Sequence, residues 1–218
     1  MTAIMQTFDS REAWLKNRFK GVGGSEIAAV IGQNPWCSNV ELWEYKTGRA
    51  ERPAVSNEEA VRYGRNAEGL IRTLYALDHE NYSVYHAEFN SWSNDAYPWA
   101  LASLDGWLHD DKGRLGVLEI KTSEIQRAAD WEKWNNKIPP NYYCQCLFYM
   151  AVIEAEFADL RAHIRYTTAD GERRATIRDY HIERADVEDD IAYLMTEGAK
   201  FWEKVEKDER PAAILPDI

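Results

Sequence analysis

Two carboxylates and one amine are spaced so that a β-hairpin would bring them together: Asp105, Glu119 and Lys121. The segment that carries them reads as strand, turn and strand. Alternating residues run from Leu101 to Leu108, a turn-prone Asp-Asp-Lys-Gly follows, and aliphatic residues run from Leu115 to Ile120. The pattern therefore predicts a hairpin with an acid on each strand.

The register of this hairpin decides how close the two acids lie. A turn centred on Lys112 pairs Asp105 directly with Glu119, whereas a two-residue turn at Asp111-Lys112 leaves them one step out of register. Directly opposed side chains have Cβ atoms about 5 Å apart. Two anions that close repel each other, and proteins tolerate such a pair mainly where a cation or a shared proton lies between them.

Lys121 lies two residues after Glu119, so strand alternation places both on one face, with Leu118 and Ile120 on the other. Oxygen donors with no His or Cys nearby favour Mg²⁺ or Mn²⁺ over zinc. A lysine there can orient or deprotonate a water beside a metal-bound phosphate, which is the chemistry of a nuclease. The alternative is a half-exposed antiparallel strand on which Glu119 and Lys121 only face solvent.

Length and composition favour one α/β domain spanning residues 1–218. The chain has 218 residues and a mass of 25.2 kDa, a common size for a single domain. The longest apolar run, Cys146 to Ile153, is shorter than the roughly 18 residues that span a bilayer, and residues 1–20 lack a signal-peptide core. We therefore expect a soluble, cytoplasmic protein with no membrane partner.

The charge is acidic overall but unevenly distributed. A net charge of −11 and a pI near 5.0 argue against non-specific coating of nucleic acid, because phosphate contacts need clustered bases. From Ile182 onward there are eleven acids and five bases, whereas Arg11–Lys20 carries four bases and one acid. A basic entrance and an acidic C-terminal helix, at about 185–207, would reconcile DNA chemistry with an acidic protein. A solvated helix face explains each cluster equally well.

A glycine-rich segment, Gly21–Gly32, predicts a turn that leads into a short helix with Ser25 as its N-cap. The free N–H groups of a helix start bind anions, so Ser25 and the nearby Arg18 could hold a phosphate. The same residues could serve only to cap the helix.

A longer helix is predicted at Asn57–Asp78, after a connector at Ala50–Asn57. Its apolar residues recur at helical spacing, and the predicted buried stripe consists of Tyr63, Ala67, Leu70 and Leu74. Glu68 lies beside this stripe and immediately before Gly69. Glycine inside a helix is unfavourable by about 1 kcal/mol relative to alanine, so close approach of another group is one explanation for it.

A third segment, Pro139–Phe157, predicts a helix that is apolar almost all round, with Gln145 as the polar exception. A buried glutamine needs hydrogen-bond partners, in a site or between backbone groups of the core. The remaining predicted elements are a helix at Ser38–Gly48, strands at Tyr82–Phe89, Leu160–Thr167 and Ala175–Ile182, and the acidic final helix. This order predicts an α/β fold with a mixed central sheet flanked by helices.

Taken together, these residues resemble the phage lambda exonuclease and YqaJ-type viral recombinase family, whose members are restriction-endonuclease-like nucleases. The resemblance extends from Arg18 to about Tyr149. The matching elements, in chain order, are Gly23-Gly24-Ser25-Glu26-Ile27, Tyr63-Gly64 with Glu68, Ser103-Leu104-Asp105-Gly106, Glu119-Ile120-Lys121, and Tyr143 with Gln145. A lone Glu-x-Lys is a weak signal, whereas five elements in the right order are a strong one.

The resemblance implies a role for each matched residue. Asp105, Glu119 and the Ile120 carbonyl would bind a metal, and Glu68 would contact a second metal or its water. Lys121 would activate the nucleophilic water, which Gln145 would help to position.

The resemblance also implies a site for the 5′-phosphate of DNA. Arg18, Ser25 and Ser103 match the family positions that hold this phosphate. Leu104 departs from the family pattern, in which proline usually precedes the aspartate, and this puts the rigidity of the turn in question.

The activity that the resemblance implies is a Mg²⁺-dependent 5′-to-3′ exonuclease acting on double-stranded DNA ends. It would release 5′-mononucleotides and leave 3′ single strands, using two Mg²⁺ ions for which Mn²⁺ can substitute. A homotrimer, a single-strand annealing protein as partner, and a phage or prophage gene expressed in a bacterial cytoplasm are implied as well.

Two alternatives remain from sequence. A RecB-type nuclease of other specificity shares the same acids and lysine, but its iron–sulfur version needs four cysteines and this chain has three, Cys37, Cys144 and Cys146. A non-catalytic DNA-binding recombination scaffold could keep the same fold. In it, tryptophans such as Trp131 and Trp134 would stack on bases or build a subunit interface, although core packing is their commoner use.

Overall fold

The computed structural model describes residues 3–51 and 57–214, so most of the predicted connector around Pro53 lies outside the described residues. The strands are β1 (Ala3–Thr7), β2 (Val22–Gly23), β3 (Tyr82–Tyr85), β4 (Asn90–Asn94), β5 (Ala100–Leu101), β6 (Gly106–Asp110), β7 (Leu115–Ile125), β8 (Phe157–Thr167) and β9 (Arg173–Glu183). The helices are α1 (Arg11–Arg18), α2 (Gly24–Val30), α3 (Asn39–Lys46), α4 (Glu58–Asp78), α5 (Ala128–Glu132), α6 (Pro140–Ile153) and α7 (Glu188–Glu206), with a 3₁₀ turn at Arg184–Asp186.

A five-stranded mixed sheet with the order β3-β6-β7-β8-β9 forms the centre of the fold. Only β7 and β8 pair in parallel within it, and the other neighbours are antiparallel. A parallel pair needs a crossover connection, which α6 supplies. The sheet and its flanking helices confirm the predicted α/β architecture.

The two faces of β7 pack against different helices. Leu118 and Ile120 join a buried cluster with Ile71 and Tyr75 of α4, whereas Val117 belongs to the larger cluster that contains most of α6. Because side chains alternate along a strand, Glu119 lies on the same side as Val117, toward α6.

The hairpin of β6 and β7 has the register of a turn centred on Lys112, since Trp107 pairs with Val117 and Leu108 with Gly116. This confirms the first of the two predicted registers. Gly113 permits the turn because its φ of +79° is in the left-handed region.

The predicted strand Leu101–Leu108 is wrong in being continuous: Leu101 ends β5 and Gly106–Leu108 belong to β6, and the chain leaves the sheet between them. Asn90 causes the break. Its Oδ1 accepts from the Leu104 N–H at 2.9 Å, and its Nδ2 donates to the Leu104 carbonyl at 2.9 Å. The side chain of Asn90 thus takes the place of a neighbouring strand and fixes the backbone before Asp105.

Helix α4 lies where it was predicted, and the Asn57 side chain caps it by accepting from the Ala60 N–H at 3.0 Å. Its predicted stripe is right at Ala67, which packs against the cluster of Ile71 and Tyr75, and wrong at the two leucines. Leu70 and Leu74 are 75% and 41% exposed, whereas the buried residues are Ile71 and Tyr75. The helix is therefore rotated relative to the prediction.

The glycines of α4 also differ from the prediction. A Cβ added at Gly69 would have no neighbour closer than Arg72 Nη2 at 3.8 Å, so no close approach explains this glycine. The close approach occurs at Gly64, where a Cβ would meet Thr122 Oγ1 of β7 at 2.9 Å.

Helix α2 begins two residues earlier than predicted, with Gly23 as its N-cap, so the prediction of Ser25 as the cap is wrong. Gly24 allows the helix to approach α6, since a Cβ there would lie 2.2 Å from the Tyr149 ring. Helix α6 starts at Pro140 but ends at Ile153, and Phe157 already belongs to β8. In the described ranges no helix combines the length and apolar character needed to cross a membrane.

Candidate active site

A cleft of about 610 Å³ opens beside the hairpin of β6 and β7. Its lining includes all eight side chains that the sequence singled out, namely Arg18, Ser25, Glu68, Ser103, Asp105, Glu119, Lys121 and Gln145. These residues come from distant parts of the chain, so the fold brings the predicted metal-binding and phosphate-binding groups into one place.

Glu119 is the most enclosed acid of the cleft, at 1% exposure. Its Oε1 accepts a hydrogen bond from Gln145 Nε2 at 2.7 Å and lies 2.5 Å from Lys121 Nζ. Its Oε2 is buried and has no partner within the described part of the chain. A buried oxygen without a partner is costly unless a ligand completes its coordination.

Asp105 is held by the second strand of the hairpin, because its Oδ2 accepts from the Ile120 N–H at 2.8 Å. Ile120 therefore contributes to the site through its backbone N–H. Its carbonyl as a metal ligand stays a prediction.

Arg72 is a part of the site that the sequence reasoning missed. Its Nη1 donates to Glu68 Oε1 at 3.1 Å and to the backbone carbonyl of Asp105 at 2.6 Å. One guanidinium thus joins α4 to the chain that carries Asp105. The available signal was the spacing of Glu68 and Arg72, since side chains four apart on a helix meet.

Burial and mutual repulsion oppose simultaneous ionisation of the carboxyl groups in the cleft. Burial and the nearby charge of Asp105 raise the pKa of Glu119 to about 8 and that of Glu68 to about 7. Burial also raises the pKa of Asp105, against the attraction of Lys121. Conversely, although burial opposes its charge, Glu119 and Asp105 raise the pKa of Lys121. A cation bound here would favour the ionised carboxylates.

The carboxylate oxygens of the cleft fit a hard divalent cation that is also coordinated by water or substrate oxygens. Within residues 3–51 and 57–214, no three His, Cys, Asp or Glu side chains are arranged to hold a metal ion by themselves. Mg²⁺ usually keeps waters and substrate phosphate oxygens and takes only one or two protein carboxylates. Asp105 and Glu119, with the unpartnered Oε2, meet that requirement.

The predicted phosphate-binding residues are joined by Trp14. Arg18 Nη2 donates to Ser25 Oγ at 3.0 Å, and the Arg18 guanidinium lies 4.7 Å from the Trp14 ring centroid. Trp14 Nε1 in turn donates to Ser103 Oγ at 3.1 Å. The Arg18 cation and the Ser103 hydroxyl therefore both contact one indole, and Ser25 is attached to it through Arg18. Trp14 was missed because a single tryptophan in an amphipathic helix looks like a core residue.

A buried ion pair holds the backbone next to the predicted phosphate-binding residues. Lys46 Nζ lies 2.8 Å from Glu26 Oε2 and donates to the Arg18 carbonyl at 3.1 Å. The same Glu26 oxygen accepts from the Gly23 N–H at 2.9 Å. Despite burial, Lys46 and Arg18 lower the pKa of Glu26, so it stays ionised. The pair fixes the backbone at both Arg18 and Gly23.

Comparisons with known proteins agree on family and fold. The chain is 30% identical to the protein YqaJ of Bacillus subtilis (strain 168) over 154 residues, which are 68% of this chain but only 44% of that protein. An alkaline exonuclease (LHK-Exo) from Laribacter hongkongensis has a similar structure, with a TM-score of 0.67 and 21% identity over 90% of this chain and 93% of that one.

A phage-related exonuclease from Haemophilus somnus 129PT also shares the fold, with a TM-score of 0.57 and 12% identity over 86% of this chain and 96% of the other. At these identities the two structures establish the restriction-endonuclease-like fold alone. The family model of the YqaJ-like viral recombinase domain matches residues 13–161, more than half of the chain. The chain belongs to the YqaJ-like viral recombinase family.

Proposed function

We propose that the protein is a Mg²⁺-dependent 5′-to-3′ exonuclease that acts on double-stranded DNA ends, releases 5′-mononucleotides and leaves 3′ single strands. The observation that carries the proposal is the convergence of Asp105, Glu119 and Lys121 in one cleft, with Glu119 Oε2 unpartnered in the described part of the chain. The family and the exonuclease fold support it, and LHK-Exo has also been crystallised in complex with dAMP.

Asp105 and Glu119 would hold the first Mg²⁺, and Glu68 would contact a second ion or its water. When bound, Mg²⁺ would offset charge on the scissile phosphate and favour ionisation of a bound water. Gln145 and Lys121 fix the Glu119 carboxylate through its Oε1. The Lys121 ammonium can also orient the attacking water and stabilise charge that develops on the phosphate.

The predicted phosphate-binding residues, which match the family positions for a 5′-phosphate, support the proposed polarity. A 5′-terminal phosphate carries more charge than an internal phosphodiester, and a guanidinium with neighbouring hydroxyls suits it. Arg18, Ser25 and Ser103 supply these groups beside the acids. A homotrimer around the DNA and cooperation with a single-strand annealing protein belong to the same proposal.

Linear duplex labelled at either the 5′ or the 3′ end of one strand tests activity and polarity together. With Mg²⁺ we expect the 5′ label to appear at once in mononucleotides, while the 3′ label stays in long fragments. Glu119→Gln and Lys121→Ala should slow release by about 100-fold or more. Glu124→Gln is the matched control, because Glu124 lies on the same strand and pairs with Arg165 at the surface.

The results of this experiment distinguish the proposed exonuclease from a non-catalytic scaffold. Undiminished release by both site variants would overturn the assignment of the active site, and early loss of the 3′ label would overturn the polarity. A non-catalytic scaffold would bind the duplex yet release no nucleotide with either Mg²⁺ or Mn²⁺.

A further inference from the structure

An exposed tryptophan lies near the candidate active site without contributing to its lining. The Trp36 side chain is 67% exposed, and its ring lies beside that of Tyr142, with centroids 6.5 Å apart and planes at 39°. Large aromatic side chains are mostly well covered in folded proteins. An indole this exposed adds little to folding stability, so packing alone does not explain it.

Tyr142 connects this surface to the proposed chemistry. The Lys121 ammonium lies 4.9 Å from the centroid of the Tyr142 ring. Behind it, the buried Trp134 stacks on Tyr142 with centroids 5.7 Å apart and planes at 28°. Tyr142 is therefore held in place between a core residue and the lysine. It gives the exposed Trp36 ring a rigid support.

The loop that carries Trp36 is tied to the proposed phosphate site. The Trp36 N–H donates to Asn34 Oδ1 at 2.9 Å, and Asn34 Nδ2 donates to the Ser25 carbonyl at 3.4 Å. Trp36 is thus linked to Ser25 on one side and, through Tyr142, to Lys121 on the other. Both of these residues would contact DNA in the proposed function.

We propose that the exposed ring of Trp36, which lies against Tyr142 and with it is here called the aromatic rim, binds an unpaired nucleobase of the DNA by stacking. The inference rests on the proposed function, since it requires a DNA end in the cleft. Every nucleobase has a π face, so such a surface binds without sequence preference. Bases inside a duplex are already stacked on their neighbours, so the base that reaches the rim is one separated from its partner at the processed end.

A coupling experiment tests this contact. Fluorescence anisotropy would measure binding of a 5′-phosphorylated duplex with a mismatched, frayed end, in Ca²⁺ and with the strands checked for integrity. Base–aromatic stacking contributes about 1–3 kcal/mol, so Trp36→Ala should weaken binding by about 5- to 150-fold. Trp36→Phe should retain most of the affinity. Tyr193→Ala removes an aromatic side chain of similar exposure on α7 and should bind like the wild type.

The second half of the experiment places an abasic nucleotide at each frayed position in turn. When the abasic nucleotide stands at the position whose base stacks on the rim, the wild type should bind more weakly than it binds the intact substrate. Trp36→Ala should bind the abasic and intact substrates equally. Equal binding by wild type and Trp36→Ala would overturn the inference, as would a loss that is the same for every abasic substrate. A change of oligomeric state in Trp36→Ala, seen by sedimentation, would overturn it in favour of a subunit contact.

Failure of the inference and failure of the proposed function are distinguishable. If the wild type degrades DNA and Trp36→Ala binds it equally well, only the aromatic rim is refuted. If the wild type neither binds nor degrades duplex ends, the proposed function falls, and the inference falls with it.

Discussion

The side-chain amide of Gln145 on α6 donates a 2.7 Å hydrogen bond to Oε1 of Glu119 on β7. Lys121 approaches the same oxygen. The two partners thereby fix the carboxylate through one oxygen and leave the other, Oε2, without a partner among the described residues. This arrangement suits a carboxylate that is held rigidly through one oxygen and offers the other oxygen to a cation.

The first prediction is that Mg²⁺ raises the melting temperature of the wild type but not of Glu119→Gln. A ligand at about 100 times its Kd stabilises the folded state by about 2.7 kcal/mol, which corresponds to roughly 5–10 °C for a chain of this size. Differential scanning calorimetry with and without Mg²⁺ measures the shift. Glu124→Gln should keep it, and an equal shift in Glu119→Gln would place the ion elsewhere.

The second prediction concerns Arg72, which positions Glu68 and the carbonyl of Asp105. Arg72→Ala should reduce the proposed exonuclease activity by about 10- to 100-fold, as is typical when a residue that positions metal ligands is lost. The reduction should appear as a higher Mg²⁺ requirement, measured by titrating the rate, with DNA binding less affected. Arg62→Ala, an exposed change on the same helix, is the control. An unchanged Mg²⁺ dependence in Arg72→Ala would argue against the positioning role.

The parts of the site that are local in sequence were predictable. Alternation and turn chemistry gave the pairing of β6 with β7, and with it the approach of Asp105 to Glu119. The family resemblance added Ser103 and assigned roles to Glu68, Gln145, Arg18 and Ser25, all of which line one cleft.

The parts that depend on long-range contacts were not predictable from pattern. The strand through Leu104 is interrupted because Asn90, fourteen residues earlier, bonds both of its backbone groups. Likewise, the buried side of α4 depends on which sheet residues it meets. Leu70 and Ile71 are both apolar, and only the packing against β7 selects Ile71.

The third prediction tests the buried pair of Lys46 and Glu26. Lys46→Ala leaves a buried carboxylate without its main partner, so the free energy of unfolding should fall by about 3–5 kcal/mol in urea denaturation. Glu26→Gln combined with Lys46→Met should recover most of the loss, since no charge is then buried. A double variant as unstable as the single one would contradict this and would point to the lost hydrogen bond from Lys46 to the Arg18 carbonyl.

The fourth prediction gives the pH dependence of the same pair. The pKa of Glu26 is lower in the folded state than its ordinary value of 4.5. Its contribution to stability is therefore complete above that value and is lost as the pH falls toward the folded pKa. Between about pH 6 and about pH 3, the wild type should lose more unfolding free energy than the double variant that combines Glu26→Gln with Lys46→Met. Equal losses in the two proteins would contradict it.

The fifth prediction contrasts two glycines of α4. At Gly69 an added methyl group meets nothing closer than 3.8 Å, so Gly69→Ala should raise the free energy of unfolding by about 0.5–1 kcal/mol through helix propensity alone. At Gly64 the methyl group would lie 2.9 Å from Thr122 Oγ1, and overpacking of about 1–3 kcal/mol should outweigh that gain. Urea denaturation should therefore give opposite signs for the same substitution on one helix. Shifts in the same direction would mean that α4 does not approach β7 as closely at Gly64 as the fold requires.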